Sequence, residues 1–220
     1  KLNLSSEKII DACVFRLSNG IFRMWDKDER NGSHTYFADS KDLYNWEVKG
    51  CAADDVPHEG ANVFGFGGKY WLITDCWSGG GLDVYYSDDL TTWAKQSSRI
   101  LDVGGTREDD GVIANHADVY VTDNNAYIFY FTHPDRQKNM LENNIGNERR
   151  TSIQVAELKL KTVFWYVTEI RIYQLNSDNI KGRRNVCLLF CRNYIYTVSV
   201  TCHYNIAAFI GAIHFHTRVT

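Results

Sequence analysis

Proline and methionine are scarce, with two of each in 220 residues, whereas phenylalanine, tyrosine and tryptophan together make up 14%. That balance favours β structure, because aromatic side chains suit a half-buried pleated surface. No run approaches about 18 uninterrupted apolar residues, so no membrane-spanning helix is expected. Positive charge is not in excess either: 24 Lys and Arg stand against 27 Asp and Glu, a net charge of −3. Such a chain has no sequence-wide basic surface for phosphates, which argues against a nucleic-acid partner. Six cysteines, Cys13, Cys51, Cys76, Cys187, Cys191 and Cys202, are too sparse here for a small disulfide scaffold, and reduced thiols are expected. Gly65-Phe-Gly-Gly68 and Gly79-Gly-Gly81 lack the Lys-Ser/Thr and the following helix of a phosphate-binding loop, and Gly-x-Ser-x-Gly does not occur. A sugar or another uncharged ligand remains open.

The residues present describe a folded protein, with 44% hydrophobic and 23% charged side chains; disorder would need fewer core formers and more net charge. The length fits one domain, or one domain and a tail. A chain opening Lys1-Leu-Asn-Leu-Ser-Ser-Glu7 reads as a fragment and leaves the compartment open.

Composition changes near residue 161. Residues 1–161 hold 25 acidic and 18 basic side chains, and residues 162–220 hold 2 and 6, so net charge moves from −7 to +4. The later segment has only Gly182 and Gly211 of 16 glycines, and runs such as Val186-Cys-Leu-Leu-Phe-Cys191 and Tyr194-Ile-Tyr-Thr-Val-Ser-Val200 are apolar without turn punctuation. The division is therefore set at 1–161 and 162–220. Two explanations compete for the tail: a real terminal layer of strands, or sequence foreign to the fold, such as a translated intron or a frameshift. The second is the expectation. His203, His214 and His216 join Cys187, Cys191 and Cys202 there, but their spacing matches no zinc finger or ribbon, and no metal is assigned to them.

Residues before the break repeat one plan three times. Asp11-Ala-Cys-Val-Phe15, Glu59-Gly-Ala-Asn-Val-Phe64 and His116-Ala-Asp-Val-Tyr120 each open a short apolar strand. An Asn- or Gly-containing turn follows, then an aromatic-rich strand (Ile21–Trp25, Lys69–Thr74, Ala126–Phe131), then an alternating third strand. The starts at 11, 59 and 116 lie 48 and 57 residues apart. That period, several short strands per unit and no helical pattern predict an all-β fold of propeller blades, each a four-stranded antiparallel sheet. Innermost strands of successive blades start near the axis, so Asp11, Glu59 and His116 are expected to converge on one pocket. For each alone, an ordinary turn residue is as good a reading.

These segments resemble the five-bladed β-propeller glycoside hydrolases, the superfamily of arabinanases, β-xylosidases, invertases and levansucrases. Ile10-Asp-Ala-Cys-Val14 is similar to the strand whose Asp orients the catalytic acid and raises its pKa. His58-Glu-Gly-Ala-Asn-Val-Phe64 is similar to the strand of the general-acid Glu, although the family usually has Pro where Ala61 stands. Asn115-His-Ala-Asp-Val119 resembles the strand of the His beneath the active site. Asp39-Ser-Lys-Asp-Leu-Tyr-Asn-Trp46 and Ser87-Asp-Asp-Leu-Thr-Thr-Trp93 resemble the Ser-x-Asp-x-x-x-Trp pattern of the outer strands. The match covers residues 8 to 160, about three of five blades, and the blade bearing the base or nucleophile Asp is missing. Asp26 and Asp28 are weighed as substitutes, but solvated turn acids are the simpler reading.

The resemblance implies cleavage of glycosidic bonds in oligo- or polysaccharides, in a fragment expected to be inactive by itself. The alternative is a non-catalytic carbohydrate-binding or protein-interaction propeller. Glu59 is the candidate acid, with Asp11 supplying the negative charge that raises its pKa. His116 stands on the pocket floor as a substrate contact or as a satisfied structural histidine. Asp75 and Trp77, leading into Ser78-Gly-Gly-Gly81, are further substrate-binding candidates. Trp25 and Trp71 offer faces for sugar stacking, with core packing as the default. Arg107 either reaches a sugar hydroxyl or pairs with the acids beside it. No cofactor is required, and a structural calcium beside His116 is the one the resemblance allows.

Overall fold

The computed structural model describes residues 2–3, 8–76, 80–110, 114–135, 150–161, 164–169, 186–191, 194–199 and 214–217, which form strands and turns and no helix. After β1 (Leu2–Asn3), three antiparallel sheets follow one another along the chain. The first contains β2 (Ile9–Arg16), β3 (Phe22–Asp28), β4 (His34–Ser40) and β5 (Trp46–Ala53), the second β6 (Glu59–Phe66), β7 (Lys69–Asp75), β8 (Leu82–Ser87) and β9 (Ala94–Lys95), and the third β10 (Asn115–Val121), β11 (Ala126–Thr132), β12 (Ser152–Lys161) and β13 (Phe164–Glu169). Each is a meander in sequence order. The first departs from the four-stranded expectation in one respect: β1 pairs parallel to the outer strand β5, through Leu2 with Trp46 and Asn3 with Glu47.

Local chemistry explains the connections. Gly67 and Gly68 alone separate the paired residues Phe66 and Lys69, and both have positive φ, 61° and 78°. That is the requirement of a two-residue hairpin turn, which glycine meets without steric strain. The Ser-x-Asp-x-x-x-Trp motifs build the outer turns. Ser87 Oγ accepts from Leu90 N at 2.8 Å, while Asp89 Oδ1 accepts from Thr91 N and Thr92 N at 2.8 and 2.7 Å. Ser40 and Asp42 do the same for Leu43, Tyr44 and Asn45. These motifs are structural.

The second sheet is buried on both faces. Ala61, Val63, Leu72 and Tyr85 pack with Trp25 and Phe37 of the first sheet, whereas Phe64, Trp71, Ile73 and Val84 pack with Ile128, Ala156 and Leu158 of the third. The alternation of Trp71, Leu72 and Ile73 between the two clusters is the period of two of a strand sandwiched between sheets.

Compactness corrects the domain boundary. The first unit runs from Lys1 to Glu169 and the second from Ile170 to Thr220, so the division after Lys161 falls one strand early. Strand β13 pairs with β12, Leu160 opposite Trp165. Trp165 is buried among Phe64, Phe66 and Trp71, with ring centroids 5.2 to 6.0 Å apart. Its backbone N–H donates to Gln96 Oε1 at 2.8 Å, and its backbone carbonyl accepts from Gln96 Nε2 at 3.2 Å. The charge and glycine change precedes the boundary because an outer strand such as β13, paired back on β12 from Phe164 opposite Lys161, needs neither. In the second unit, β14 (Val186–Cys191), β15 (Tyr194–Ser199) and β16 (His214–Thr217) form an antiparallel sheet of three strands. The expectation of a tail that packs poorly concerns side chains outside the described residues.

Candidate active site

The innermost strand of each sheet carries an irregularity at the same place. Register slips between Ile10 and Cys13, between Glu59 and Asn62, and between Asn115 and Asp118. In each, two residues oppose one, a β-bulge, and the first of the two has positive φ: Asp11 at 58°, Gly60 at 61° and His116 at 41°. Bulges re-aim side chains and recur beside active sites, and a non-glycine residue held in the left-handed region is a mark of function. The equivalent residues of the three sheets are therefore Asp11, Gly60 and His116. Glu59 stands one position earlier, equivalent to Ile10 and Asn115, so the sequence alignment of Asp11, Glu59 and His116 is corrected by one residue. Only backbone geometry reveals the slip.

The three side chains nevertheless meet: one ligand-type atom of each lies within 4.8 Å of the others. Gly60 N donates to Asp11 Oδ2 at 3.2 Å, which ties the first sheet to the second. His116 N donates to Asp75 Oδ1 and Oδ2, both at 2.8 Å, which ties the second to the third. A Cβ on Gly60 would lie 3.2 Å from His116 Cα and 3.3 Å from Asp75 Oδ1. His116 Nε2 is 3.8 Å from Glu59 Oε1 and 3.7 Å from Asp75 Oδ2, and its ring stacks on Phe131 at 5.7 Å.

A residue absent from the sequence expectations completes the cluster. Lys27, with only 8% of its side chain exposed, donates from Nζ to Glu59 Oε2 at 3.1 Å. Its place is the second-strand position opposite Ile10, and the corresponding positions are Asp75 opposite Glu59 and Phe131 opposite Asn115. Nothing in the repeat singled it out, because the three side chains at that position have unlike chemistry.

Charge in the site runs against expectation. The imidazole of His116 and the ammonium of Lys27 outweigh burial and hold the Glu59 carboxyl down at about 2, where a raised value was expected from Asp11. Glu59, opposed by burial and helped by Asp75 and Asp11, raises the pKa of His116. Burial lifts Asp75 to about 7; the His116 charge and N–H pull it down, while Glu59 and Asp11 add to the rise. At neutral pH the site thus presents an anionic Glu59 facing an imidazole whose protonated form the neighbouring carboxylates favour.

The other candidates fall in different places. Asp75 belongs to the cluster but is buried and engaged by a backbone N–H, so it supports the site from behind. Trp25 and Trp71 are fully buried; Trp25 packs edge-on against Trp93 at 6.1 Å and offers no face to a sugar. Arg107 donates to Asp110 Oδ2 at 2.9 Å, to the Tyr130 hydroxyl at 3.0 Å and to the Val155 carbonyl, which is the neighbour-pairing reading. Trp77 lies outside the described residues. Asp26 and Asp28 sit on the face of β3 opposite to Lys27 by strand alternation, and both are buried strand residues rather than solvated turn acids. As for calcium, that ion takes six to eight oxygens, whereas this cluster offers two carboxylates, an imidazole and an ammonium 3.1 Å from one of them. The residues do not fit it.

No family model and no curated protein matches the chain, but solved structures do. A thermostable family-43 glycoside hydrolase aligns at a TM-score of 0.56 with 20% identity, over 73% of this chain and 58% of that one. A family 117 glycoside hydrolase of the marine bacterium Zobellia galactanivorans aligns at 0.56 with 12% identity, over 90% and 68%. A mutant α-L-arabinanase of Cellvibrio cellulosa aligns at 0.54 with 16% identity, over 95% and 73%. The chain thus spans little more than half the length of the family-43 enzyme. At these identities the likeness establishes the fold, which is the β-propeller of these glycoside hydrolases.

Proposed function

We propose that the chain is the acid-bearing part of a propeller glycoside hydrolase that cleaves glycosidic bonds in oligo- or polysaccharides. The observation that carries this reading is the convergence of Asp11, Glu59 and His116 from three successive innermost strands. Hydrolysis needs a proton for the leaving oxygen and a second carboxylate to activate water or attack the sugar. Glu59 is assigned the first role, Asp11 orients the strand that bears it through Gly60 N, and His116 binds substrate. The base or nucleophile is assigned to a blade beyond these three, so the chain alone is expected to be inactive. One observation favours a second reading, a non-catalytic saccharide-binding propeller: the Lys27 contact keeps Glu59 an acceptor rather than a donor.

Titrating arabino-, xylo- and fructo-oligosaccharides into the chain tests the carbohydrate assignment, with His116 ring signals expected to move and silence across the panel counting against both readings. Catalysis is tested in a ring completed with the remaining blades. There Glu59→Gln is expected to lower the rate on a natural oligosaccharide by about 10²–10⁴ and to matter less for an activated aryl glycoside. An equal, small effect on both would leave only the binding reading.

A further inference from the structure

We propose that Lys27 is a positioning residue for Glu59, holding it in the acceptor state and sharing its ammonium with Glu29, so that withdrawal of Lys27 raises the affinity of Glu59 for a proton. The inference rests on the assignment of Glu59 as the acid, and four observations carry it.

The position of Lys27 is built by strand register: it is the second-strand residue facing the start of the bulge. At the next sheet junction the equivalent residue, Asp75, grips His116 through its N–H. This position is where one sheet takes hold of the residue that opens the next, and in the first sheet it holds an ammonium. The ammonium is also nearly out of water, with 8% of the side chain exposed, so the contact is not weakened as a solvated ion pair would be. At 3.1 Å Lys27 makes a hydrogen bond to Glu59, whereas His116 Nε2 stands at 3.8 Å, beyond hydrogen-bond length, and joins Lys27 in holding the carboxyl low. Finally, a second acceptor stands ready: Glu29 Oε1 is 3.7 Å from the same Nζ, and Glu29 in turn faces Lys8 at 3.7 Å. A small rotation at the end of the lysine chain exchanges one carboxylate for the other, with no backbone movement.

The groups facing Glu59 are Asp11 from β2, Lys27 from β3, Asp75 from β7 and His116 from β10. Of these, Lys27 alone donates a side-chain hydrogen bond to Glu59 while a second glutamate stands within reach of the same nitrogen. With His116 it controls how readily Glu59 takes up a proton, and it is the partner that a side-chain rotation can withdraw.

The test is a carbon-13 NMR titration of glutamate side-chain carboxyls in the 220-residue chain, with the Glu59 signal identified by its loss in Glu59→Gln. Glu59 in the parent is expected to titrate below the exposed glutamates, which lie near about 4.3. Lys27→Met should move its midpoint up by about 1–3 pH units, the usual effect of removing a close opposite charge. Lys27→Arg, which keeps the charge, should leave it low. Glu29→Gln should leave it low or lower it further, since the competing acceptor has gone. A parent Glu59 that titrates with the exposed glutamates would overturn the proposal, as would an unmoved midpoint in a folded Lys27→Met. If Lys27→Met does not fold, the parent and Glu29→Gln titrations decide, and an upward move in Glu29→Gln counts against the shared ammonium. None of these readouts involves a saccharide or turnover, so loss of the glycosidase reading would leave them standing.

Discussion

The backbone N–H of His116 donates to both carboxylate oxygens of Asp75, each at 2.8 Å, and this contact helps to join the third sheet to the second at the edge of the site. It also stabilises a histidine whose φ of 41° lies in the left-handed region. Asp75→Ala would leave that part-buried donor unmatched and remove a carboxyl group 3.7 Å from Nε2. We expect a loss of about 1–3 kcal/mol in stability, together with a lower pKa for His116. Urea unfolding and the proton NMR titration of the His116 ring measure the two. An unchanged imidazole midpoint would show that the carboxylate and the ring are uncoupled.

Gly60 is expected to resist substitution. Gly60→Ala would put a Cβ at positive φ and within 3.2–3.3 Å of His116 and Asp75, where backbone stands on one side. Left-handed backbone costs an L-residue about 1–2 kcal/mol before any clash. Thermal melts should show at least that loss, and a neutral result would argue that the bulge relaxes freely.

The buried carboxyl of Asp26 sets a pH dependence. Burial, with help from Asp28, raises it to about 7, whereas an unfolded Asp titrates near about 3.9. Between these values the folded chain keeps a proton that the unfolded chain has lost, so stability falls as pH rises from about 4 to 7. Asp26→Asn should flatten that fall, by an amount on the order of a few kcal/mol at pH 8. Buried His58 acts in the opposite sense: desolvation lowers it to about 4, so its contribution is present above its unfolded value and disappears as pH falls from about 6.5 to 4. Urea midpoints at pH 4, 5.5, 7 and 8 separate the two, and parallel curves for parent and Asp26→Asn would contradict the assignment.

Trp165 tests the boundary. Truncation of a buried tryptophan typically costs about 3–5 kcal/mol, a large share of the roughly 5–15 kcal/mol that holds a domain together. Trp165→Ala, or termination after Lys161, should therefore destabilise the first unit markedly, while termination after Glu169 should keep its melting transition. Equal behaviour of the two truncations would restore the earlier boundary.

Much of this architecture is determined locally. The Gly67-Gly68 turn, the Ser-x-Asp-x-x-x-Trp turns and the aromatic strand cores all act over a few residues, so pattern and turn chemistry alone specify the strands and their repetition. The meeting of Asp11, Glu59 and His116 is legible for the same reason, because a repeated unit brings its opening residues together. Three things were decided only in three dimensions. The bulge shifts Glu59 one place from its apparent equivalents, and a slip of one residue leaves no trace in an apolar-polar pattern. Strand β13 carries the composition of the tail but is held by Trp165 and Gln96, partners 69 residues apart. The lowered pKa of Glu59 depends on His116 and on Lys27, the latter 32 positions away with a side chain that is unremarkable until the first and second sheets pack. A carboxylate's protonation is a property of the charges and solvent within a few ångströms of it, and only the tertiary structure determines what those are.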